Sequence, residues 1–531
     1  MTKKTGRKKK SLPKHVTLGI ILAAAILASA AVLIVSCIFL GMFPASYILI
    51  FAIVILVTAE GVLFANRWKV SGIILNVISC LLIACMLLGS FYVNVTRKTV
   101  VAVQTGDYTM VYMGVYVMAD DEAEELEDTA GYSFGYDYIL DETETADAVE
   151  YIEEALDEEL DITEYDSMFT MLDELKDGSI DAIIINESYL GIAEDVDEYE
   201  WAEDDLKQIA RIELKYEKET TENASADEEE DIELGSFVVY ISGIDSYGDV
   251  SVTSRSDVNI LAVVNTETKT VALISTPRDY YVTFEVTNGA YDKLTHAGIY
   301  GIDQSEDALE TLYGVEIDYY IRMNFTGFID IIDAIGGITV YSDLSFSSSV
   351  SDYTYTAGYN TLDGEAALYF ARERKTFTSG DFQRGRNQMA VINAVIDELA
   401  SFSTLAKFEA IMEAIGDSFE TDMSTSFINA LIQMQLTEGG SWTVEKYQTT
   451  GNSGSAITYS ASGQYLSVVF QDAESIEGAM ELIYKTLYPE MYEDEEEETE
   501  SDDETSSGDY DSGSDTAQTD TSGESSTAAS Q

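Results

Sequence analysis

Cysteine and histidine are almost absent from most of this chain. The three cysteines, Cys37, Cys80 and Cys85, all lie in apolar runs near the N-terminus of the 531-residue sequence. The rest of the chain therefore cannot form a disulfide framework or a cysteine-ligated metal site. His296 is the only histidine beyond the apolar N-terminal region, and a lone histidine cannot build a multi-histidine zinc site.

Positive charge is also scarce. The sequence has 29 Lys+Arg against 96 Asp+Glu, which gives a formal net charge of −67. This balance argues against nucleic acid as a partner, because phosphate backbones are bound through net positive surfaces. It also argues against docking on an anionic membrane surface outside an anchor. The length is sufficient for two or three domains with cores of their own.

Three apolar stretches near the N-terminus, residues 16–40, 45–65 and 70–93, are each long enough to cross a bilayer as a helix, which takes roughly 20 residues. Residues 1–15 form a basic tail, and Arg67 and Lys69 lie between the second and third stretches. The positive-inside rule therefore predicts a cytoplasmic N-terminus and a multi-pass anchor over residues 16–93. Three crossings place the remainder of the chain outside the cell.

The part after the anchor divides into four segments. Residues 100–215 contain predicted strands at 109–119 and 181–186 and predicted helices at 145–160 and 168–175. This β-α-α-β order predicts a small α/β accessory domain, which loosely resembles one lobe of a periplasmic solute-binding protein. Ligand binding, regulation and spacing all remain open as its role. An acidic linker (216–236), a second domain (237–487) and a disordered acidic tail (489–531) follow.

Strands alternate with helices in the second domain. This order predicts an α/β layered fold, in which ligands bind at strand ends. Asp245 follows the first predicted strand, Arg255 and Asp257 precede the second, and Arg278 and Asp279 follow the third, so these residues should converge at one edge. The predicted strands are 237–242, 259–265, 270–275, 319–324 and 337–341, and the predicted helices are 304–313, 325–335, 363–371 and 382–400.

Most of the few arginines fall in this domain and have close carboxylate neighbours. Guanidinium groups bind phosphate bidentately and stay charged at any working pH, so the group predicts a phosphate or pyrophosphate site. The alternative for each arginine is a surface ion pair of little energetic value. The motifs are Arg255-Ser-Asp257, Pro277-Arg278-Asp279, Arg372-Glu-Arg374 and Asp381-Phe-Gln-Arg384.

These motifs, with Lys293-Leu-Thr-His296 and Ile335-Gly336-Gly337-Ile, resemble the LytR-CpsA-Psr family of bacterial cell-wall enzymes over about residues 237–487. The resemblance implies a layered α/β/α catalytic domain. It also implies transfer of an anionic glycopolymer, of the teichoic acid or capsule type, from a polyprenyl-pyrophosphate carrier to peptidoglycan. The cofactor it implies is Mg²⁺ or another divalent cation such as Mn²⁺.

The resemblance also assigns roles to individual residues. Asp245 and Asp257 would bind the metal, and Arg278 would act in catalysis as well as in binding. One departure is Asn387, which stands where many members have a second arginine; Arg386 is one position out of register. The residues that would contact the pyrophosphate are Arg255, Arg278, Arg372, Arg374, Arg384 and Gln388.

Elementary chemistry is consistent with these roles. Reaction at a pyrophosphate needs neutralisation of charge on the leaving phosphate, which arginines and magnesium supply. The attacking sugar hydroxyl needs a base, for which Asp257 and Asp381 are both candidates. Helices 304–313 and 325–335 are candidates to line a cavity for the lipid. Two other functions remain open: a pyrophosphatase acting on the same lipid, and a non-enzymatic envelope sensor or transcription attenuator.

Overall fold

The computed structural model describes residues 14–41, 43–102, 108–196, 198–217, 234–244, 246, 249–401, 411 and 418–492. Four predictions fall outside these residues: those for the basic residues 1–13, for most of the acidic linker, for the tail beyond residue 492, and for Asp245. The C-terminal unit, Tyr488–Gln531, has one described 3₁₀ turn, Pro489–Met491.

Three apolar helices form the N-terminal region: α1 (Lys14–Leu40), α2 (Ala45–Ala65) and α3 (Lys69–Ala102). Each contains a span of 21 to 24 apolar residues, long enough to cross a bilayer. The three predicted helices are confirmed, although α3 continues beyond the predicted end at residue 93. Such helices indicate membrane anchoring.

The accessory domain (residues 108–217) is a mixed sheet with helices on both faces. Its described strands have the order β3-β2-β4-β1-β5, in which β2 is parallel to β3 and β4 while β1 is antiparallel to β4 and β5. The predicted β-α-α-β order was incomplete, because it lacked β2, β3 and β5. The elements are β1 (Tyr108–Met118), β2 (Ser133–Asp137), α4 (Glu142–Leu156), β3 (Asp161–Tyr165), α5 (Met168–Lys176), β4 (Ala182–Asn186), α6 (Glu187–Glu194), α7 (Trp201–Asp205) and β5 (Leu206–Glu217).

The main domain (residues 234–487) contains all five strands and four helices predicted for it, with end shifts of a few residues. Its elements are β6 (Ser236–Ile244), β7 (Ser256–Asn265), β8 (Thr270–Ser275), β9 (Tyr281–Val282), β10 (Asp292–Lys293), α8 (Leu294–Tyr300), α9 (Ile302–Tyr313), β11 (Tyr319–Met323), α10 (Phe325–Ile335), β12 (Ile338–Ser342), β13 (Phe346–Ser347), β14 (Thr354–Tyr355), β15 (Gly358–Leu362), α11 (Gly364–Arg372), α12 (Asp381–Leu399), β16 (Phe419–Thr421), α13 (Thr425–Glu438), β17 (Thr443–Gln448), β18 (Gly451–Ile457), β19 (Tyr465–Gln471) and α14 (Ala473–Leu487).

The central sheet of the main domain has the order β16-β11-β6-β7-β8-β17 among the described strands. Strands β11, β6, β8 and β17 run in one direction, while β7 and β16 run in the other. The carboxyl ends of those four strands and the start of β7 therefore lie together, at what we call the carboxyl edge.

Helices cover both faces of this sheet because its strands alternate two sets of apolar side chains. On β6, Val238 and Tyr240 join one buried cluster with residues of α8, α9 and α14. Phe237 and Val239 join another with residues of α12 and α13. This three-layer arrangement confirms the predicted α/β/α fold class.

The accessory domain packs directly on the main domain near the carboxyl edge. The Met110 amide donates to the Ser251 carbonyl and the Thr253 amide donates to the Met110 carbonyl, each at 3.0 Å. Side chains of α6, including Ile192 and Ala193, share a buried cluster with Ile299 of α8.

The main domain also contacts the apolar N-terminal helices through α13. The Tyr47 hydroxyl of α2 donates to the Leu436 carbonyl at 2.8 Å, and the Gln433 side chain donates to the Gly41 carbonyl. Ile432 packs near Val93 of α3. The main domain is therefore held against the ends of the membrane helices by contacts outside the connecting chain.

Candidate functional site

An arginine–aspartate pair forms the centre of the carboxyl edge. Asp257 is the second residue of β7, and Arg278 follows the end of β8 in a neighbouring position. Arg278 Nη1 donates to Asp257 Oδ1 at 2.8 Å and to Oδ2 at 3.0 Å. The side chains are only 13% and 17% exposed, respectively. The structure thus brings together these two predicted site residues.

A second arginine reaches the same carboxylate from α12. Arg384 lies in the first turn of this helix, and its Nη1 is 3.8 Å from Asp257 Oδ2. Its Nη2 is 2.7 Å from Asp381 Oδ1, one turn back on the helix. Asp257 therefore lies between two guanidinium groups, and Arg384 is fixed by two carboxylates.

These charges set the ionisation of the pair. Burial alone would raise the pKa of Asp257, but the charges of Arg278 and Arg384 outweigh it and lower the pKa to about 2. Burial alone would likewise lower the pKa of Arg278, and the charges of Asp257 and Asp279 raise it instead. Asp257 is consequently a carboxylate, and Arg278 a cation, at any physiological pH.

A cavity of about 290 Å³ opens beside this pair. Its lining combines charged or polar residues, among them most of the predicted site residues, with apolar residues. The charged or polar residues include Asp257, Arg278, Arg372, Arg374, Arg384 and Gln388, and the apolar residues include Ile244, Val258, Met323, Phe325, Phe328, Leu368 and Ile392. The cavity thus offers both guanidinium groups and apolar side chains to one ligand.

Arg372 and Arg374 lie at and just after the C-terminal end of α11. Arg372 is the last helical residue, and its guanidinium carbon lies 4.0 Å from the centre of the Phe325 ring, a cation–π contact. Arg374 lies in the following loop. Partial desolvation and the like charges of Arg278 and Arg384 lower the pKa of Arg374. Among the described residues no carboxylate pairs with Arg374, so an anion in the cavity would relieve this repulsion.

Glu373 and Thr295 support the site, and the sequence motifs gave neither a role. Glu373 is buried, and its two carboxylate oxygens accept from the Ser349 amide at 2.5 Å and the Thr376 amide at 3.0 Å. It thereby fixes the loops that carry Arg374 and the cavity rim. Thr295 Oγ1 donates to Asp257 Oδ1 at 3.4 Å. Glu373 lines the cavity between Arg372 and Arg374, and its place inside the Arg-Glu-Arg motif was the available signal.

Other predicted residues lie elsewhere. Arg255 does not line the cavity: its Nη1 donates to the Gly191 carbonyl of the accessory domain at 3.1 Å and lies 3.7 Å from Asp195. Asp381 does not line the cavity and lies beside Arg384. Arg386 donates to Gln383 and Ser379 at 2.7 to 3.2 Å.

Two residues of the motifs and one predicted helix have structural environments. Asn387 is buried and donates to the Phe370 carbonyl at 3.2 Å. His296 is also buried, with Nδ1 2.6 Å from Asp292, in keeping with a structural role. Helix α9 does not line the cavity as predicted, because Ala308, Leu309 and Tyr313 pack in the core beneath the sheet.

The donors fit the expected magnesium ion in type. Among the described residues there is no group of three or more His, Cys, Asp or Glu side chains that could hold a metal. Magnesium, however, is commonly held by one or two carboxylates, with water and phosphate oxygens completing the shell. Asp257, ionised and on the cavity wall, can supply one such ligand.

Comparison with known proteins decides the family. The sequence model of the LytR_cpsA_psr family matches residues 207–480, from β5 to α14. The chain belongs to the LytR_cpsA_psr family. Relatives of this LytR_cpsA_psr protein include the polyisoprenyl-teichoic acid–peptidoglycan teichoic acid transferase TagU of Halalkalibacterium halodurans, 34% identical over 218 residues, which are 40% of this chain and 69% of TagU. The transferase of the same type named TagT, from Bacillus subtilis, is 35% identical over 199 residues, which are 36% of this chain and 61% of TagT.

Solved structures of similar proteins cover about half of the chain. The crystal structure of TagV from B. subtilis is 28% identical, covers 48% of this chain and 98% of TagV, and has a TM-score of 0.40. A structure described as TagT bound to LI-WTA is 28% identical, covers 48% of this chain and 91% of TagT, and has a TM-score of 0.38.

Proposed function

We propose that this protein is a membrane-anchored transferase that attaches an anionic glycopolymer, of the teichoic acid or capsule type, to peptidoglycan from a polyprenyl-pyrophosphate carrier. The observation that carries the proposal is the cavity whose lining combines several arginines with apolar side chains. A pyrophosphate attached to a hydrocarbon chain needs both kinds of contact. The names of the TagU and TagT relatives point to the same donor and acceptor.

The arginines bind the pyrophosphate in this proposal. Arg278 and Arg384 are preorganised by Asp257 and Asp381, so their forks need little rearrangement to stabilise charge on the leaving phosphate. Arg374 has no carboxylate partner among the described residues, so it can bind the phosphate without breaking an ion pair. The cavity volume of about 290 Å³ is near the lower end of small-ligand pockets, roughly 300–1,000 Å³. It therefore takes the pyrophosphate and the first part of the lipid chain.

The transfer forms one bond and breaks one. The oxygen of a peptidoglycan hydroxyl forms a bond to the phosphorus next to the glycopolymer, and the bond from that phosphorus to the bridging oxygen breaks. Polyprenyl phosphate leaves, and the hydroxyl proton passes to a carboxylate. Asp257 lines the cavity, but its pKa near 2 makes it a poor proton acceptor at neutral pH, and Asp381 does not line the cavity, so both carboxylates stay candidates for this step.

A divalent cation, magnesium by preference, completes the proposal. Asp257 would hold it, together with Asp245, which lies outside the described residues. When bound, the ion would neutralise negative charge on the phosphates. Asp257 would then serve both the ion and Arg278, which accounts for a carboxylate kept ionised inside a cavity wall.

The proposed topology follows from charge and helix number. With the N-terminus inside the cell, the three crossings of α1, α2 and α3 place the accessory and main domains on the outer side of the membrane. Peptidoglycan and the outward-facing lipid carrier are both found there.

Transfer by the purified full chain tests the proposal. The chain in detergent is incubated with a polyprenyl-pyrophosphate glycan, a peptidoglycan acceptor and Mg²⁺, and covalent glycan–peptidoglycan product is measured. Arg278→Lys should lower product formation at least about tenfold, because a lysine cannot make the bidentate contact. Arg386→Ala, which removes an arginine outside the cavity, should match the wild type.

Two results would overturn the proposal that the protein is a transferase. Release of phosphorylated glycan without attachment to the acceptor would identify a pyrophosphatase. Unchanged attachment of glycopolymer in cells that express Arg278→Lys as their sole copy would instead favour a sensor.

A further inference from the structure

The accessory domain reaches a cation of the carboxyl edge through the end of α6. The Gly191 carbonyl accepts from Arg255 Nη1 at 3.1 Å, and Asp195, directly after the helix, lies 3.7 Å from the same nitrogen. Asp195 also lies 3.4 Å from Lys293 Nζ, which is only 5% exposed. One carboxylate of the accessory domain thus engages two cations of the main domain.

The residue at position 191 is critical to this contact. A Cβ atom there would stand 3.0 Å from both Arg255 Cζ and Nη2, closer than side chains normally approach. Any other residue would require the guanidinium to shift away from α6 by a few tenths of an ångström. The neighbouring contact from Ser188 Oγ to the Thr253 carbonyl, at 2.7 Å, holds the helix beside the segment that carries Arg255.

The charge of Arg255 nevertheless acts on the site. It directly precedes Ser256 and Asp257 at the start of β7, and its charge is among those that lower the pKa of Asp257, after Arg278 and Arg384. Its side chain does not line the cavity, however. The contacts with Gly191 and Asp195 are what turn the guanidinium toward the accessory domain.

We propose that Asp195 is a positioning residue for Arg255: with the accessory domain docked, Asp195 and the Gly191 carbonyl hold Arg255 away from the cavity, and a pyrophosphate must compete with them for it. This inference rests on the proposed function, in which the cavity takes a pyrophosphate. The accessory domain thereby weakens the binding of small phosphates, and movement of α6 would strengthen it.

The test measures binding of inorganic pyrophosphate to the full chain in detergent by isothermal titration calorimetry. Asp195→Asn should bind about two- to fivefold tighter than wild type, the factor expected for one partly exposed ion pair. Gly191→Ala, which is compatible with a helix, should shift binding in the same direction by pushing Arg255 out. Glu198→Gln, the same change at an exposed position of the same domain, should leave binding unchanged.

The gain in pyrophosphate affinity on Asp195→Asn must depend on Arg255. In an Arg255→Ala background the additional Asp195→Asn substitution should have no effect, which is the signature of coupled residues in a double-mutant cycle. A purely structural role for Asp195 would weaken binding or leave it unchanged, and either result overturns the inference. So does a gain that persists without Arg255.

The proposed function has its own readout in the same titrations. Suppose that Arg278→Lys loses the pyrophosphate binding seen with the wild type, while Asp195→Asn binds as the wild type does. That result would overturn the inference about Asp195 and leave the proposed function standing. Absence of pyrophosphate binding by the wild type would overturn the proposed function and the inference with it.

Discussion

Replacement of Arg278 by methionine should destabilise the main domain severely, because it leaves Asp257 charged in a largely buried place. The pair has two hydrogen bonds, at 2.8 and 3.0 Å, and its side chains are 13% and 17% exposed. Removing one partner of a buried ion pair typically costs about 3–5 kcal/mol. Arg384 remains 3.8 Å away and compensates in part, so we expect about 3 kcal/mol.

Thermal unfolding followed by tryptophan fluorescence measures this cost. The chain has three tryptophans, of which Trp442 lies in the main domain and donates to Gln435 at 3.1 Å. With Trp68 and Trp201 changed to phenylalanine, the signal reports the main domain alone. For a domain of this size about 3 kcal/mol corresponds to a fall in midpoint of roughly 6–12 °C.

The double variant Asp257→Asn/Arg278→Met separates charge from packing. Since it has no unpaired carboxylate, it should recover much of the lost midpoint relative to Arg278→Met. Two outcomes would refute the reasoning: a midpoint for Arg278→Met within about 2 °C of the parent, or a double variant whose loss equals the sum of the two single losses.

Three other predictions follow from the same site. The pKa of Asp257 in the folded protein, about 2, is below the usual 3.8. The ionised carboxylate therefore stabilises the fold by about 2 kcal/mol above pH 4, and this stabilisation is lost as the pH falls toward 2. Thermal unfolding midpoints measured between pH 5 and pH 2 should show this loss in the parent but not in Asp257→Asn. Gly364→Ala should destabilise by about 1–3 kcal/mol and weaken pyrophosphate binding, because a Cβ there meets the Ile329 carbonyl oxygen of α10 and pushes α10 and α11 apart beside the cavity. Gly235→Ala, at a position with open space and no left-handed backbone, is the matched control and should have little effect. Chelation with EDTA should abolish transfer and Mg²⁺ should restore it, while transfer that persists without free divalent cations would contradict the proposed metal.

The convergence of Asp257 and Arg278 could be predicted because it depends only on strand direction. Residues at the end of one strand and at the start of its antiparallel neighbour must meet at one edge. Arg384 could be placed there as well, since its motif opens a helix that packs on the same sheet.

The position of Arg255 could not be predicted in the same way. Its motif places it beside the site, but its partners, Gly191 and Asp195, belong to another domain and are some 60 residues earlier in the chain. No spacing within the main domain contains that information.

Local pattern also failed for parts of the accessory domain. Strand β3 is short, and its side chains are exposed or only partly buried, so it lacks a strong apolar alternation. Strand β5 has a mostly exposed or partly buried pattern and several charged residues, so its apolar alternation is also weak. Its pairing with β1 along eleven positions shows that tertiary context determined its structure.

The contact between α13 and the ends of the membrane helices limits where the main domain can work. A domain joined to membrane helices by one flexible segment alone can reorient widely. The second attachment of the main domain, at Tyr47 and Gly41, restricts this reorientation. In the proposed topology its cavity then stays at a fixed height above the outer face of the bilayer. Such an enzyme would serve only the layer of wall nearest the membrane, so growth of the wall outward would carry finished strands beyond its reach.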